Sequence, residues 1–250
     1  MGNKLWEGIV MRYMGGKFYT AKHILPIILK DRQEGQWYVE PFCGGCNTLS
    51  EVTGNRIGAD SHYYLMQLWQ AVSLGWLPPE AISLDLYNTL RLHVKKDLPT
   101  TNPLYGYVGF QCSFGGKWFG GYVSYESQDR IGRTRKDLMG YLNALKQFPR
   151  LKDVIFKHCS YEDLKIPGIS IIYCDPPYEG TTGYSKGGFN HDHFWEQCSN
   201  WVFDGHKVFV SEYNAPSDWV CVWSKAQKTG FNLGKAKPSI EKLFAHRSQL

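Results

Sequence analysis

Asp175-Pro176-Pro177-Tyr178 is the stretch of this 250-residue chain whose residue types are best suited to chemistry. It follows a near-continuous apolar run, Ile169-Ser170-Ile171-Ile172-Tyr173-Cys174. Such a run predicts a parallel strand buried on both faces. Ligands of open α/β sheets sit just past the carboxyl ends of strands of this kind. The prolines fix the backbone and leave carbonyls with no competing donor on their own nitrogens. The Asp175 carboxylate and the Pro176 carbonyl can together accept two hydrogen bonds from one amino group. Tyr178 can stack on a flat ring that carries the amine. The set suits a planar amino-base that must be held and made nucleophilic. The plainer alternative is a proline-rich turn with a solvated Asp175.

A second loop, Glu40-Pro41-Phe42-Cys43-Gly44-Gly45, follows the short apolar strand Trp37-Tyr38-Val39. Its glycines let a ligand approach the backbone closely. It matches neither the three-glycine dinucleotide fingerprint nor the phosphate loop with its lysine. Asp60 ends the next predicted strand, Arg56–Asp60, where an acid can accept hydrogen bonds from both ribose hydroxyls of a nucleoside; the alternative is a helix cap. A glycine loop plus an acid, without a phosphate cradle, fits S-adenosylmethionine, which has a ribose and an adenine but no phosphate. Tyr13-Met14-Gly15-Gly16-Lys17 adds free backbone amides and a cation able to neutralise a ligand carboxylate.

The elements needed to position these loops read as α/β. A helix over Tyr19–Leu29 is expected to bend near Pro26. The strand near Val39, the strand Arg56–Asp60 and a helix over Tyr63–Leu74 give the order of a parallel βαβ unit. The pattern breaks between residues 76 and 149, where prolines gather and Tyr105–Tyr125 interleaves aromatics with glycines. This stretch reads as an inserted subdomain, returned to the sheet by a helix over Lys136–Phe148. Strands follow at Val154–Phe156, Ile169–Cys174, Lys207–Ser211 and Asp218–Trp223, with a helix at His191–Phe203 and a closing hairpin strand within Lys237–His246. The expected division is therefore 1–75 with 150–250 as one domain and 76–149 inserted.

Composition sets the outer limits. Hydrophobic residues make up 43% and charged residues 20%, the balance of a folded globular chain. The net charge of +5 permits a polyanionic partner. No apolar run is long enough to span a bilayer, and the first residues carry neither a signal core nor a myristoylation pattern. The 7 cysteines, an odd number without a secretory signal, suggest free thiols in a reducing compartment. Cys43-Gly44-Gly45-Cys46 has redox or zinc spacing, but no second pair completes a structural zinc site; no metal is expected. A thiol oxidoreductase built on this pair would leave Asp175–Tyr178 without a role.

Taken in order, Tyr13–Lys17, Glu40–Gly45, Asp60 and Asp175–Tyr178 resemble bacterial and phage DNA adenine methyltransferases of the GATC-methylating type. The resemblance runs over nearly the whole chain. It implies a Rossmann-like methyltransferase sheet, S-adenosylmethionine as cofactor, double-stranded DNA as partner, and a cytoplasmic location in a bacterial cell or phage-infected host. By position it implies that Tyr13, Lys17, Phe42, Gly44 and Gly45 line the cofactor pocket, with Glu40 opening that loop. Asp60 would hold the ribose, Asp163 would read the cofactor adenine, and Asp175, Pro176 and Tyr178 would be catalytic, with Asp175 also near the cofactor. Two positions depart from the family pattern: Tyr13 stands where Trp is usual, and Cys46 where Gly is frequent.

The inserted segment is then expected to bind DNA. From Arg91 to Lys136 there are eight basic residues against three acidic ones, densest at Arg130-Ile131-Gly132-Arg133-Thr134-Arg135-Lys136. Arg91, Lys117, Arg130, Arg133, Arg135 and Lys136 are candidates for phosphate or guanine contacts; a solvated face is the alternative. Methylation of RNA or of another amino group is the competing substrate reading. The recognition sequence and oligomeric state are not encoded in these motifs.

Overall fold

In the computed structural model, residues 10–96, 100–123, 136–179, 188–227 and 239–250 are described. Seven strands form one sheet: β1 (Tyr38–Glu40), β2 (Arg56–Asp60), β3 (Ile155–His158), β4 (Ile171–Cys174), β5 (Lys207–Glu212), β6 (Trp219–Gln227) and β7 (Ser239–His246). Their spatial order is β3-β2-β1-β4-β5-β7-β6. The first five strands are parallel, and β7 runs antiparallel between β5 and β6. This is the Rossmann-like α/β sheet expected from the sequence.

Successive side chains of a strand face opposite sides of a sheet, and the apolar runs supply both sides. Tyr38, Ile171 and Tyr173 enter one core with Ile24, Leu65 and Trp69, whereas Val39, Ile172 and Cys174 enter another with Phe194 and Trp201. The first core packs beneath α1 (Phe18–Ile28) and α2 (Tyr63–Ser73), the second beneath α6 (His191–Phe203). The helix α1 continues through Pro26 to Ile28.

Among the described residues, the stretch between residues 76 and 123 contains two α-helices. Along α3 (Leu84–Lys95), Ser83 caps the start by accepting a hydrogen bond from the Leu86 amide at 3.1 Å, and Tyr87 and Leu90 turn inward. The pair Ser83 and Asp85 is the start signal that reading overlooked. The aromatic stretch opens as α4 (Leu104–Gln111). Its glycines permit contact that any side chain would block: a Cβ at Gly106 would strike the Tyr64 carbonyl, and one at Gly109 the Trp118 ring. Both helices share the first core with α2. The chain returns through α5 (Lys136–Gln147).

Candidate active site

In this sheet β1 and β4 are neighbours, with β2 and β3 on one side and β5 on the other. The order therefore reverses between them, and the crevice at their carboxyl ends is the natural ligand site of an open α/β sheet. The loop that begins at Pro41 leaves β1 there, and Asp175 leaves β4 there. Two motifs about 130 residues apart in sequence thus leave neighbouring strand ends because their strands pair.

Lys17 joins them at the start of α1. Its ammonium forms an ion pair with Asp175 Oδ1 at 2.8 Å, lies 3.4 Å from Glu241 Oε1, and stands 4.6 Å from the centre of the Tyr178 ring. Burial opposes charge on this lysine, yet Asp175, with Tyr173 and Glu241 behind it, raises its pKa above the ordinary value. Burial also raises the Asp175 pKa, and Lys17 offsets part of that effect. The other flank of Tyr178 meets Tyr213 edge-on, with ring centroids 4.8 Å apart. Pro176 is buried. Glu241 was not singled out from the sequence, although a signal exists: it shares the inward phase of β7 with Leu243 and Ala245, a carboxylate at an apolar position.

The glycine loop is braced from three sides. Asp60 accepts hydrogen bonds from the Gly44 amide at 3.1 Å and the His62 amide at 2.9 Å. Burial raises its pKa against these donors. A carboxylate offers about four lone-pair sites, so Asp60 keeps acceptor capacity for a diol. The cap of α2 is His62, whose Nδ1 accepts from the Leu65 amide at 3.2 Å; Asp60 is not that cap. Buried Gln147, which sequence reasoning missed, donates to the Gly45 carbonyl at 2.9 Å and accepts from the Met11 amide at 2.8 Å. Gly44 adopts a left-handed φ of 44°, and a Cβ there would come within 2.7 Å of the Tyr13 ring, one at Gly45 within 2.6 Å of Tyr13 Cβ. Tyr13 therefore rests directly on the loop. Cys46, where Gly is frequent in the resembling family, takes a left-handed φ of 55°, a conformation that costs an L-residue about 1–2 kcal/mol.

The remaining candidates occupy the surroundings of the same crevice. Glu40 is buried and accepts a hydrogen bond from Tyr38 at 2.8 Å; burial raises its pKa to about 8. Phe42 lies on the second-core side against Tyr161, Phe189 and Phe194, with ring centroids 5.3 to 5.8 Å away. Asp163 is exposed on the loop after β3 and accepts from Ser160 Oγ at 3.1 Å. Tyr161 on that loop is an aromatic wall that sequence reading did not pick out. Glu212 ends β5, accepts from the amides of Tyr213 and Glu179, and has its pKa raised by burial to about 7. The thiols of Cys43 and Cys46 are free and buried, and burial raises both pKa values, which disfavours the nucleophilic thiolate a redox site needs.

Among the proposed DNA contacts, Arg91 is half-buried on α3 and Lys117 is exposed after α4. Lys136 begins α5. Arg130, Arg133 and Arg135 lie outside the described residues. Among the described residues no helix is long and apolar enough to cross a membrane, and no group of His, Cys, Asp and Glu is arranged to hold a metal ion.

The donor set therefore fits a nucleoside with a charged amino-acid tail: Asp60, an acid with spare acceptors beside a close backbone, and Lys17, a largely enclosed cation at the start of α1. Sheet order and loop placement are those of a Rossmann-like α/β fold. Residues 13–97 match the family of D12 class N6 adenine-specific DNA methyltransferases, the adenine methyltransferase family that the motifs resemble. The matched stretch holds Tyr13, Lys17, the glycine loop and Asp60; Asp175 falls beyond it. A solved structure of a candidate methylase from Haemophilus influenzae is similar at 10% identity and a TM-score of 0.33, covering 90% of this chain and 95% of that one. Comparison with curated proteins gives no match.

Proposed function

We propose that this protein transfers a methyl group from S-adenosylmethionine to the exocyclic amine of an adenine in duplex DNA. The observation that carries the reading is that the strand leading into Asp175 and Tyr178 pairs with the strand leading into the Asp60-braced glycine loop, at the point where the strand order reverses. When bound, S-adenosylmethionine would supply an electrophilic sulfonium methyl. Asp60 would accept from its ribose, Tyr13, Phe42, Gly44 and Gly45 would line its pocket, with Glu40 behind the loop, and Asp163 would face its adenine. Lys17 would lie near its methionine part.

The amine of adenine is a poor nucleophile because its lone pair is delocalised into the ring. Asp175 and the Pro176 carbonyl, by accepting its two N–H groups, favour a pyramidal nitrogen and aim it at the methyl. The gain comes from positioning and from acceptors matched to the charge that develops. Such a base cannot be reached inside a duplex, so it must be extruded, at a cost of a few kcal/mol, into a pocket with a stacking partner. Tyr178 is that partner. Residues 76–149 form the target-recognition segment in this reading, and Arg91, Lys117, Arg130, Arg133, Arg135 and Lys136 hold the backbone or read bases.

The test is incubation of the purified protein with labelled S-adenosylmethionine and DNA free of modified adenine, followed by sequencing that detects N6-methyladenine. Label at adenine in one recurring sequence supports the proposal. Transfer to RNA alone, or none at all, would overturn it.

A further inference from the structure

Lys17 stands where a substrate amine belongs. Its ammonium is 2.8 Å from Asp175 Oδ1 and 4.6 Å from the centre of the Tyr178 ring. An amino group held by Asp175, on a ring stacked against Tyr178, would need the same acceptor and the same space. A base can therefore take its place only if the ammonium moves off Asp175. That movement is costly for a cation whose side chain is only 11% exposed, because a largely buried charge without a partner is strongly disfavoured. Glu241 is positioned to prevent that. Its Oε1 is 3.4 Å from the same ammonium, and its Oε2 accepts a hydrogen bond from Thr20 Oγ1 at 3.1 Å, one turn along α1 from Lys17. The carboxylate is itself buried on β7, which keeps it in one place whether or not Asp175 is occupied.

We propose that Glu241 is a positioning residue that receives the Lys17 ammonium when the target amine claims Asp175. This rests on the methyltransferase reading above. It makes the Lys17–Asp175 ion pair a resting contact: Asp175 stays charge-compensated while the site is empty, and Lys17 stays compensated while the site is filled. The lysine remains protonated throughout, and only its carboxylate partner changes. Thr20 holds Glu241 in the orientation that reaches Lys17.

The test compares the whole protein with Glu241→Gln, Glu241→Asp and Thr20→Val. Measurements are S-adenosylmethionine affinity by calorimetry, thermal unfolding, and single-turnover methylation at saturating DNA. The expected result for Glu241→Gln is a loss of tenfold or more in single-turnover rate, with cofactor affinity within about twofold of the parent. Glu241→Asp should recover part of the rate, since it keeps the charge. Thr20→Val should lose several-fold in the same direction, and it serves as the test if Glu241→Gln fails to fold. In the background of Lys17→Met the effect of Glu241→Gln should disappear, because contacting residues that act together are not additive. An unchanged rate in Glu241→Gln, or a loss of cofactor affinity in proportion to the rate, would overturn the inference. A parent protein that methylates no DNA would instead overturn the proposed function.

Discussion

The indole N–H of Trp69 donates to the carbonyl of Gly44 at 2.8 Å from a fully buried ring. Helix α2 is thereby tied to the glycine loop at the residue whose left-handed φ sets the loop's course. Asp60 takes the amide of the same glycine, so both polar groups of Gly44 are held by side chains from outside the loop.

Trp69→Phe tests that tie. The change keeps a large apolar ring but leaves the Gly44 carbonyl only the weak donor Cys46 Sγ at 3.9 Å. A buried acceptor left unpaired costs roughly 1–3 kcal/mol. The expected outcome is a fall in Tm of several degrees, at about 2–4 °C per kcal/mol for a chain of this size, and weaker binding of S-adenosylmethionine. Equal thermal stability of parent and variant would show that the loop does not depend on α2.

Glu40 gives a pH dependence whose sign is fixed by its environment. Burial is the main cause of its raised pKa, about 8 against 4.5 when free. The folded state therefore binds this proton more tightly than the unfolded chain. Its contribution favours folding least at high pH: the penalty is absent below about 4.5, grows as pH rises, and is complete above about 8. Glu40→Gln removes the titration while keeping an acceptor for Tyr38. Relative to Glu40→Gln, the parent should lose stability on the order of a few kcal/mol between pH 5 and about pH 9. Thermal melts across that range check it, and parallel curves would mean that Glu40 titrates normally.

Much of the sheet was legible because its strands are buried on both faces and therefore read as short apolar runs: Ile171–Cys174 and Lys207–Glu212 stand out for that reason. The crevice was legible because Asp60 and Asp175 end such strands. What sequence could not supply was contact between distant elements. Glu241 acts on Lys17 across more than 220 residues, and Gln147 on Gly45 across about 100. Neither belongs to a motif, since pairing of β7 with β5 and return of α5 to the loop are properties of the tertiary fold. The helix α4 was obscure for a different reason: Gly106 and Gly109 lower its intrinsic propensity, and close packing on α2 and Trp118 compensates.

Asp60→Ala separates loop bracing from cofactor binding. It removes the acceptor for the Gly44 and His62 amides together with the proposed ribose acceptor. A hydrogen bond to a charged group contributes roughly 1.5–3 kcal/mol, so S-adenosylmethionine affinity should fall about tenfold or more. Asp60→Asn keeps one acceptor oxygen and should recover part of the loss. Calorimetry on folded variants decides: unchanged binding in Asp60→Ala would remove this residue from the cofactor site.

Asp175→Asn is the most discriminating change at the site. It keeps the shape and one acceptor oxygen, replaces the other with a donor, and removes the charge that compensates Lys17. The folded state should tolerate it, because Asp175 lies beyond the end of β4 and Glu241 remains beside the lysine. DNA affinity should also survive, since phosphate contacts by basic residues elsewhere supply most of it. The loss belongs in the chemical step: an amide N–H facing the target amine cannot accept from it, and the amine is no longer drawn toward a pyramidal geometry. Single-turnover methylation should fall by a hundredfold or more, the order expected when a preorganised electrostatic group is removed. A variant that methylates adenine at near the parental rate would exclude Asp175 from catalysis, and with it the role assigned to Tyr178 and Lys17 around it.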